Sequence, residues 1–120
     1  MRATLTREFV GKALAKADVL HLPAVPIPVP TIDETTRGDP AEVARVIGLI
    51  GHCTRGLNYL GLPAISVPCG FDARGLPVGF QLASRPFSEA LLLRAVDAYQ
   101  RVTDWHKREP QTTAPSPSSR

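Results

Sequence analysis

Residues 58–86, NYLGLPAISVPCGFDARGLPVGFQLASRP, contain two short apolar runs separated by a link rich in glycine and proline. The runs are Ala64–Val67 and Val78–Ala83, and the link includes GFDARGLP at positions 70–77. Apolar runs of about four to eight residues that are bounded by glycine and proline are typical of β-strands joined by a compact connection. This stretch therefore predicts two neighbouring strands.

Three amphipathic patterns predict helices around these strands. The first covers residues 4–17, the second starts at Asp39 and extends to about Leu57, and the third follows Ser88. Asp39 is a favourable N-cap because its carboxylate can accept the first free N–H groups, and proline suits the next position. The third pattern has an apolar stripe at helical spacing, made of Leu92, Ala95, Val96, Tyr99 and Val102.

A proline-rich segment lies between the first two helical patterns. DVLHL at 18–22 predicts a short strand, and PAVPIPVP at 23–30 follows it with four prolines. Proline lacks an N–H donor and fixes φ, so residues 23–30 should be extended without being a central strand. The apolar residues that alternate with the prolines predict that this segment lies against a surface. Residues 31–38 are polar and predict a loop.

Composition limits the classes of protein to which the chain can belong. Its 120 residues suit one domain, and the net charge of +3 is spread along the chain, which argues against direct nucleic-acid binding. No apolar run approaches the roughly 18 residues that span a bilayer, and no signal peptide is recognisable. Cys53 and Cys69 form no CxxC motif and favour free thiols in a cytoplasmic protein, with a disulfide as the alternative.

The predicted order of helix, strand, helix, strand, strand and helix is an α/β order. A sheet of two or three short strands leaves unpaired edges and little area for helices to cover. Residues 1–110 are therefore predicted to be part of a larger sheet, with self-association or a homo-oligomer as a possible consequence of the exposed edges. Residues 111–120, QTTAPSPSSR, are rich in proline, serine and threonine and predict a disordered tail.

Three spaced segments resemble the closing third of the amidase signature family. They are DVLHLPAVPIPVP at 18–30, CTRGLNYLGLPAISVPCGF at 53–71, and GLPVGFQLASRPFSEALLLRAVDAYQRVTDWHKREP at 75–110. The resemblance is collinear and extends from about residue 17 to residue 110. It departs from the family pattern at Gly56 and Leu57, where a Pro-Phe pair is usual, and this puts the local packing or pocket wall in doubt.

The resemblance implies the C-terminal part of the amidase-signature fold, a mixed central sheet covered by helices. It also implies hydrolysis or transfer of carboxamides by a Ser–cis-Ser–Lys triad, in which an activated serine attacks beside an oxyanion hole. This sequence has no GGSS-like run, and its lysines are only Lys12, Lys16 and Lys107. No catalytic residue and no cofactor is therefore assigned. The expected partners are an N-terminal amidase portion, in cis or as a separate chain, and a small amide substrate in the complete enzyme.

Arg55 and Asn58 are the candidate residues of a substrate-pocket wall. Asn58 precedes an apolar strand, so tying together the backbone of the loop is the alternative role. Ser66 lacks the glycine-flanked elbow that exposes a nucleophile, and it is interpreted as a strand hydroxyl bonded to backbone. His52 and Cys53 are adjacent and would point about 100° apart on a helix, so no metal site is expected.

Two further features complete the prediction. Trp105 and His106 are interpreted as the end of the last helix, with the indole packed over the core. Three interpretations of the chain stay open. It is part of an amide hydrolase, part of the glutamine-amidase component of a tRNA-dependent amidotransferase, or a non-catalytic α/β module that binds or scaffolds.

Overall fold

The two predicted strands are neighbours in a three-stranded antiparallel sheet in the computed structural model, which describes residues 1–110. The strands are β1 (Val19–Pro23), β2 (Ala64–Phe71) and β3 (Pro77–Ser84), in the spatial order β1-β3-β2. The disordered tail predicted for residues 111–120 lies outside the described residues. An α/β arrangement of this sheet with its helices confirms the predicted fold class.

The connection between β2 and β3 is a tight turn closed by backbone hydrogen bonds. The N–H of Asp72 donates to the Leu76 carbonyl across 2.8 Å, and the N–H of Gly75 donates back to the Asp72 carbonyl across 2.9 Å. Gly75 has a φ of 76°, a conformation that glycine adopts without a steric penalty. The glycine-rich link therefore sets the turn that brings β2 and β3 into register.

Five α-helices and one 3-10 helix surround the sheet in the described part of the chain. They are α1 (Arg2–Ala13), α2 (Ile32–Thr36), α3 (Pro40–Ile50), α4 (His52–Leu60), α5 (Glu89–Val102) and the 3-10 helix Trp105–Lys107. Asp39 caps α3 as predicted, because its carboxylate accepts the N–H groups of Ala41 and Glu42.

Four details of the predicted helices were wrong. The first helix, predicted over residues 4–17, is α1 and ends at Ala13. The loop predicted at 31–38 contains α2, whose Thr31 and Glu34 form a reciprocal capping box. The single helix predicted from Asp39 to about Leu57 is divided into α3 and α4 at Gly51. Val102, placed in the apolar stripe of α5, is the last residue of that helix and is 81% exposed.

Each face of the sheet is covered by different helices. On one face, buried Leu57, Leu62 and Ala83 form a cluster that also contacts apolar residues of α1 and β1. On the other face α5 packs on β2 and β3, with the ring of Tyr99 edge-on to Phe80 at 5.2 Å between centroids. The core therefore lies on both sides of β3.

Two further predictions concern single features of the chain. Cys53 and Cys69 are free thiols, which confirms the preference over a disulfide, although both side chains are only half-buried. Trp105 packs near Phe71, with 6.3 Å between ring centroids, so the 3-10 helix at 105–107 contacts the sheet.

Within residues 1–110, none of the helices combines the length and hydropathy that crossing a bilayer requires.

Candidate functional site

An apolar groove lies beside the proline-rich segment, where β3 begins. Its volume is about 370 Å³ and its lining consists of aliphatic side chains, prolines and one glycine: Ala24, Val25, Ile27, Val29, Pro30, Ile50, Pro77, Val78 and Gly79. The prediction that residues 23–30 lie against a surface is confirmed, because the segment lies alongside the first residues of β3 in the groove. None of the lining residues titrates, so the groove can hold an apolar group but cannot itself transfer a proton.

The backbone of Gly79 allows the close approach that forms this groove. The N–H of Ala24 donates to the Gly79 carbonyl across 3.1 Å, which continues the β1–β3 ladder into the proline-rich segment. A Cβ atom at Gly79 would lie 2.9 Å from the carbonyl oxygen of Val67. A larger residue at this position would therefore push β2 and β3 apart beneath the groove.

Arg74 fixes the far end of the proline-rich segment to the β2–β3 turn. Its guanidinium donates to the Val29 carbonyl across 2.8 Å and pairs with the Asp72 carboxylate at 3.0 Å. The N–H of Leu76 donates to that carboxylate, and together with Arg74 it holds the pKa of Asp72 below its ordinary value. The segment is thereby held at both ends, by Gly79 and by Arg74.

Gln81 connects the helix that carries the predicted site residues to the sheet. Its side chain is 2% exposed, and its amide nitrogen donates to the carbonyls of Pro23 and Cys53, each across 2.9 Å. Buried polar groups are stable only when they find such partners. Gln81 therefore fixes α4 relative to the end of β1, close to the groove.

Arg55 and Asn58 lie three residues apart on α4 and are both exposed. The Arg55 guanidinium folds back over Gly51 and donates to the Ile47 carbonyl across 3.3 Å, so this side chain reaches the junction of α3 and α4. The carbonyl of Asn58 accepts the N–H of Gly61 at the end of α4. Neither residue lines the groove, although Ile50 at the same junction does, and their role in a pocket wall stays a prediction.

The other residues considered from the sequence are dispersed. Ser66 lies on β2 as expected, but it is exposed and its hydroxyl makes no hydrogen bond to residues 1–110, so the predicted bond to backbone is wrong. His52 is exposed at the start of α4, and His106 is exposed in the 3-10 helix. The described residues contain no cluster of three or more potential metal ligands.

Sequence reasoning missed Gln81 and Arg74, the two side chains that position the groove. For Gln81 a signal existed, because a single amide interrupts the apolar run VGFQLA and a buried strand position requires it to find partners. For Arg74 no local signal existed. Its partner Val29 lies 45 residues earlier in the chain.

The sequence model of the family described as Amidase matches residues 1–93. Two curated relatives are the glutamyl-tRNA(Gln) amidotransferase A subunits of Chloroflexus aggregans, 44% identical over 110 residues, and of Roseiflexus castenholzii, 46% identical over 108 residues. These alignments include 92% and 90% of this chain but only 21% of each relative. The chain thus spans about a fifth of the length of these relatives.

A solved structure with a similar fold is that of 6-aminohexanoate cyclic dimer hydrolase. The two structures superpose with a TM-score of 0.71 at 29% sequence identity. The superposition covers 88% of this chain and 24% of the hydrolase. The arrangement of the three strands and their helices is therefore also found as part of a much larger protein.

Proposed function

This chain belongs to the amidase family, and we propose that it is the C-terminal portion of an enzyme that hydrolyses carboxamide bonds. In the complete enzyme a serine Oγ attacks the carboxamide carbon, the amine or ammonia leaves with a proton, and water then releases the acid from the acyl-serine. The second serine and the lysine of the triad relay the proton from the nucleophile. In this proposal the triad lies in a separate N-terminal portion, so residues 1–120 alone are inactive.

The observation that carries the proposal is the ratio of the two coverages. Nearly all of this chain aligns with amidase-family relatives, but the alignment accounts for only 21% of their length. The sheet fits this interpretation because its two outer strands have no further strand beside them among the described residues. We therefore treat residues 1–110 as one segment of a larger amidase domain. We also propose that the complete protein is cytoplasmic.

The segment's contribution is to form part of the substrate pocket. The groove beside residues 23–30 offers an apolar surface, and Arg55 and Asn58 are exposed on α4, the helix that follows the groove residue Ile50 in the chain. Apolar walls with a few polar side chains are typical of small-molecule sites. In the complete enzyme we expect Arg55 and Asn58 to contact the polar part of a small amide substrate.

A second candidate function is favoured by the curated relatives. Both are named as components of glutamyl-tRNA(Gln) amidotransferase. The corresponding proposal is that the complete protein releases ammonia from glutamine as part of an amidotransferase. Glutamine and simple aliphatic amides as alternative substrates would distinguish the two candidates.

The purified chain tests the proposal directly. We expect no release of ammonia from glutamine, acetamide or benzamide by residues 1–120, and the assembled Chloroflexus aggregans amidotransferase that contains the relative as its A subunit serves as the control for the glutamine assay. Turnover of any of these amides by the chain alone would overturn the proposal. A cooperative unfolding transition of a monomer, together with failure to bind any amidase N-terminal portion, would instead support a non-catalytic module.

A further inference from the structure

The groove beside residues 23–30 offers few polar groups to a bound molecule. Its lining side chains are aliphatic, proline or glycine, so none of them donates or accepts a hydrogen bond. The backbone carbonyl of Val29 already accepts from Arg74. That of Gly79 already accepts from the N–H of Ala24. A molecule in this groove would therefore be held mainly by apolar contact.

The charges at the far end of the segment compensate each other. Arg74 pairs with Asp72 at 3.0 Å while it also donates to the Val29 carbonyl. Glutamine carries an ammonium and a carboxylate at neutral pH, and an ionised group that leaves water without a partner incurs a large free-energy cost. The groove is consequently unsuited to the charged end of an amino acid.

The size and stiffness of the groove suit a ring or a branched aliphatic group. Its volume is about 370 Å³, and a cavity of about 150 Å³ with apolar walls already holds benzene. Pro30 and Pro77 fix φ at two points of the lining. The bonds of Arg74 and Gly79 hold the segment at both ends. Walls that are fixed before binding lose little conformational freedom when a ligand enters.

The same walls are poorly suited to a length of polypeptide backbone. The segment contains prolines at 23, 26, 28 and 30, which have no N–H to donate. With the carbonyls of Val29 and Gly79 also occupied, main-chain pairing along the segment has few partners. Val25, Val29 and Val78 are nevertheless exposed in the groove. A small apolar group covers these side chains without needing backbone hydrogen bonds.

We propose that the groove binds the apolar substituent of an uncharged carboxamide, an aryl or cyclic aliphatic group, and that it excludes glutamine. This inference rests on the proposed function, since it assigns a substrate class to the same pocket, and it favours the amide hydrolase over the glutamine-releasing alternative. The carboxamide itself would lie outside the groove, because the lining provides no side-chain partner for its oxygen and nitrogen. Val25 and Val78 are then residues that determine specificity.

The test compares benzamide, acetamide and glutamine as ligands of residues 1–120 by NMR titration. Acetamide is the matched control for the apolar group, because it has the same carboxamide with only a methyl group attached. The backbone amide resonances of Ala24, Val25, Ile27, Val78 and Gly79 report on the groove. Those of residues 89–102 in α5 report on nonspecific binding.

We expect benzamide to give saturable shifts at the groove resonances, and acetamide and glutamine to bind there about tenfold more weakly or less. Equal binding of benzamide and acetamide, or of benzamide and glutamine, would overturn the inference. Shifts confined to α5, or no shifts with any ligand, would also overturn it. Each of these outcomes leaves the assignment to a C-terminal amidase portion intact, because that assignment rests on sequence coverage.

Variants of Val25 test where the apolar group lies. Val25→Asp places a charge in the groove and should weaken benzamide binding by about tenfold or more. Val102→Asp is the control for an added charge, because Val102 is exposed at the end of α5 and does not line the groove. It should leave the binding unchanged. Equal binding by the Val25→Asp and Val102→Asp variants would exclude the groove as the site.

Val25→Thr keeps this test decisive if Val25→Asp does not fold. Threonine has nearly the shape of valine but adds a hydroxyl, and it should weaken benzamide binding by about twofold or more. Unchanged binding in the Val25→Thr variant would then overturn the inference.

A chimera separates failure of the inference from failure of the proposed function. Residues 1–110 replace the matching segment of the A subunit in the assembled Chloroflexus aggregans amidotransferase, and kcat/KM is measured for benzamide and glutamine. We expect the ratio of benzamide to glutamine to be about tenfold or more above that of the unmodified assembly. An unchanged ratio would overturn the inference alone. A chimera that unfolds cooperatively but turns over no amide would instead overturn the proposed function.

Discussion

The side-chain amide of Gln81 donates to the backbone carbonyl of Cys53 across 2.9 Å and so joins the centre of the sheet to α4. The same nitrogen donates to the Pro23 carbonyl at the end of β1. One buried side chain therefore sets the relative position of three elements. The candidate groove and the exposed face of α4 depend on this arrangement.

Replacing Gln81 with leucine should destabilise the chain by about 1–3 kcal/mol, because the carbonyl oxygens of Pro23 and Cys53 lose their part-buried donor. Urea-induced unfolding measures the effect. Gln100→Leu is the matched control, since Gln100 is only half-buried on α5 and makes no side-chain hydrogen bond to residues 1–110. Comparable losses in the two variants would contradict a specific role for the Gln81 amide.

Gly61 terminates α4 in the left-handed region, with a φ of 68°. Gly61→Ala should cost about 1 kcal/mol, because a Cβ atom is disfavoured in that conformation. Gly48→Ala, in the interior of α3 with open space around the new methyl group, should instead stabilise the chain by about 0.5–1 kcal/mol. Unfolding free energies of both variants measure this difference in sign, and a stabilising Gly61→Ala would refute the explanation.

Sequence patterns predicted the elements that depend on neighbouring residues. The strands at 64–67 and 78–83 follow from apolar runs between glycine and proline, and the start of α3 follows from Asp39 and Pro40. The division at Gly51 was not predicted, because it accompanies side-chain contacts that the apolar pattern does not encode. Arg55 bonds to Ile47 over the glycine, and Gln81, 28 residues from Cys53, holds the carbonyl of that residue.

The same distinction applies to the candidate site. Alternating prolines and aliphatic residues predicted that residues 23–30 lie on a surface, but not which surface. That surface is the start of β3, and it is reached through the bonds of Gly79 and Arg74 to the segment. Five-residue α2 was missed for another reason. It has no buried residue, so no apolar periodicity marks it.

Asp72 should make stability depend on pH in the acid range. Hydrogen bonds from Leu76 and Arg74 lower its pKa in the folded chain relative to the ordinary value of 3.8. The resulting stabilisation is complete above the unfolded pKa and is lost as the pH falls through the lower, folded pKa. The difference in unfolding free energy between wild type and Asp72→Asn should therefore shrink below about pH 4. A difference that grows toward acid would show that the pKa is not lowered.

Arg74 should control the proline-rich segment more than the stability of the sheet. Arg74→Met removes the donor to Val29 and should increase amide hydrogen exchange in residues 24–31 at least severalfold, because the attachment at the far end of the segment is lost. Residues 64–71 should keep their protection. Arg94→Met on the exposed side of α5 is the control, and it should leave both regions unchanged. Equal exchange in the Arg74→Met and Arg94→Met variants would remove the role assigned to Arg74.

Asn58 separates a role in substrate binding from a role in structure. Its side chain is exposed and makes no hydrogen bond to residues 1–110, while its carbonyl accepts from Gly61 regardless of the side chain. In a chimera in which residues 1–110 replace the matching segment of the full-length Chloroflexus aggregans relative, Asn58→Ala should therefore leave the thermal midpoint unchanged. If Asn58 contacts substrate equally in the ground and transition states, KM for the amide should rise about tenfold with kcat retained. Tyr59→Ala, the exposed neighbour, is the control for nonspecific effects. A lowered midpoint with unchanged KM would assign Asn58 to the structure of the loop and leave the pocket wall to other residues.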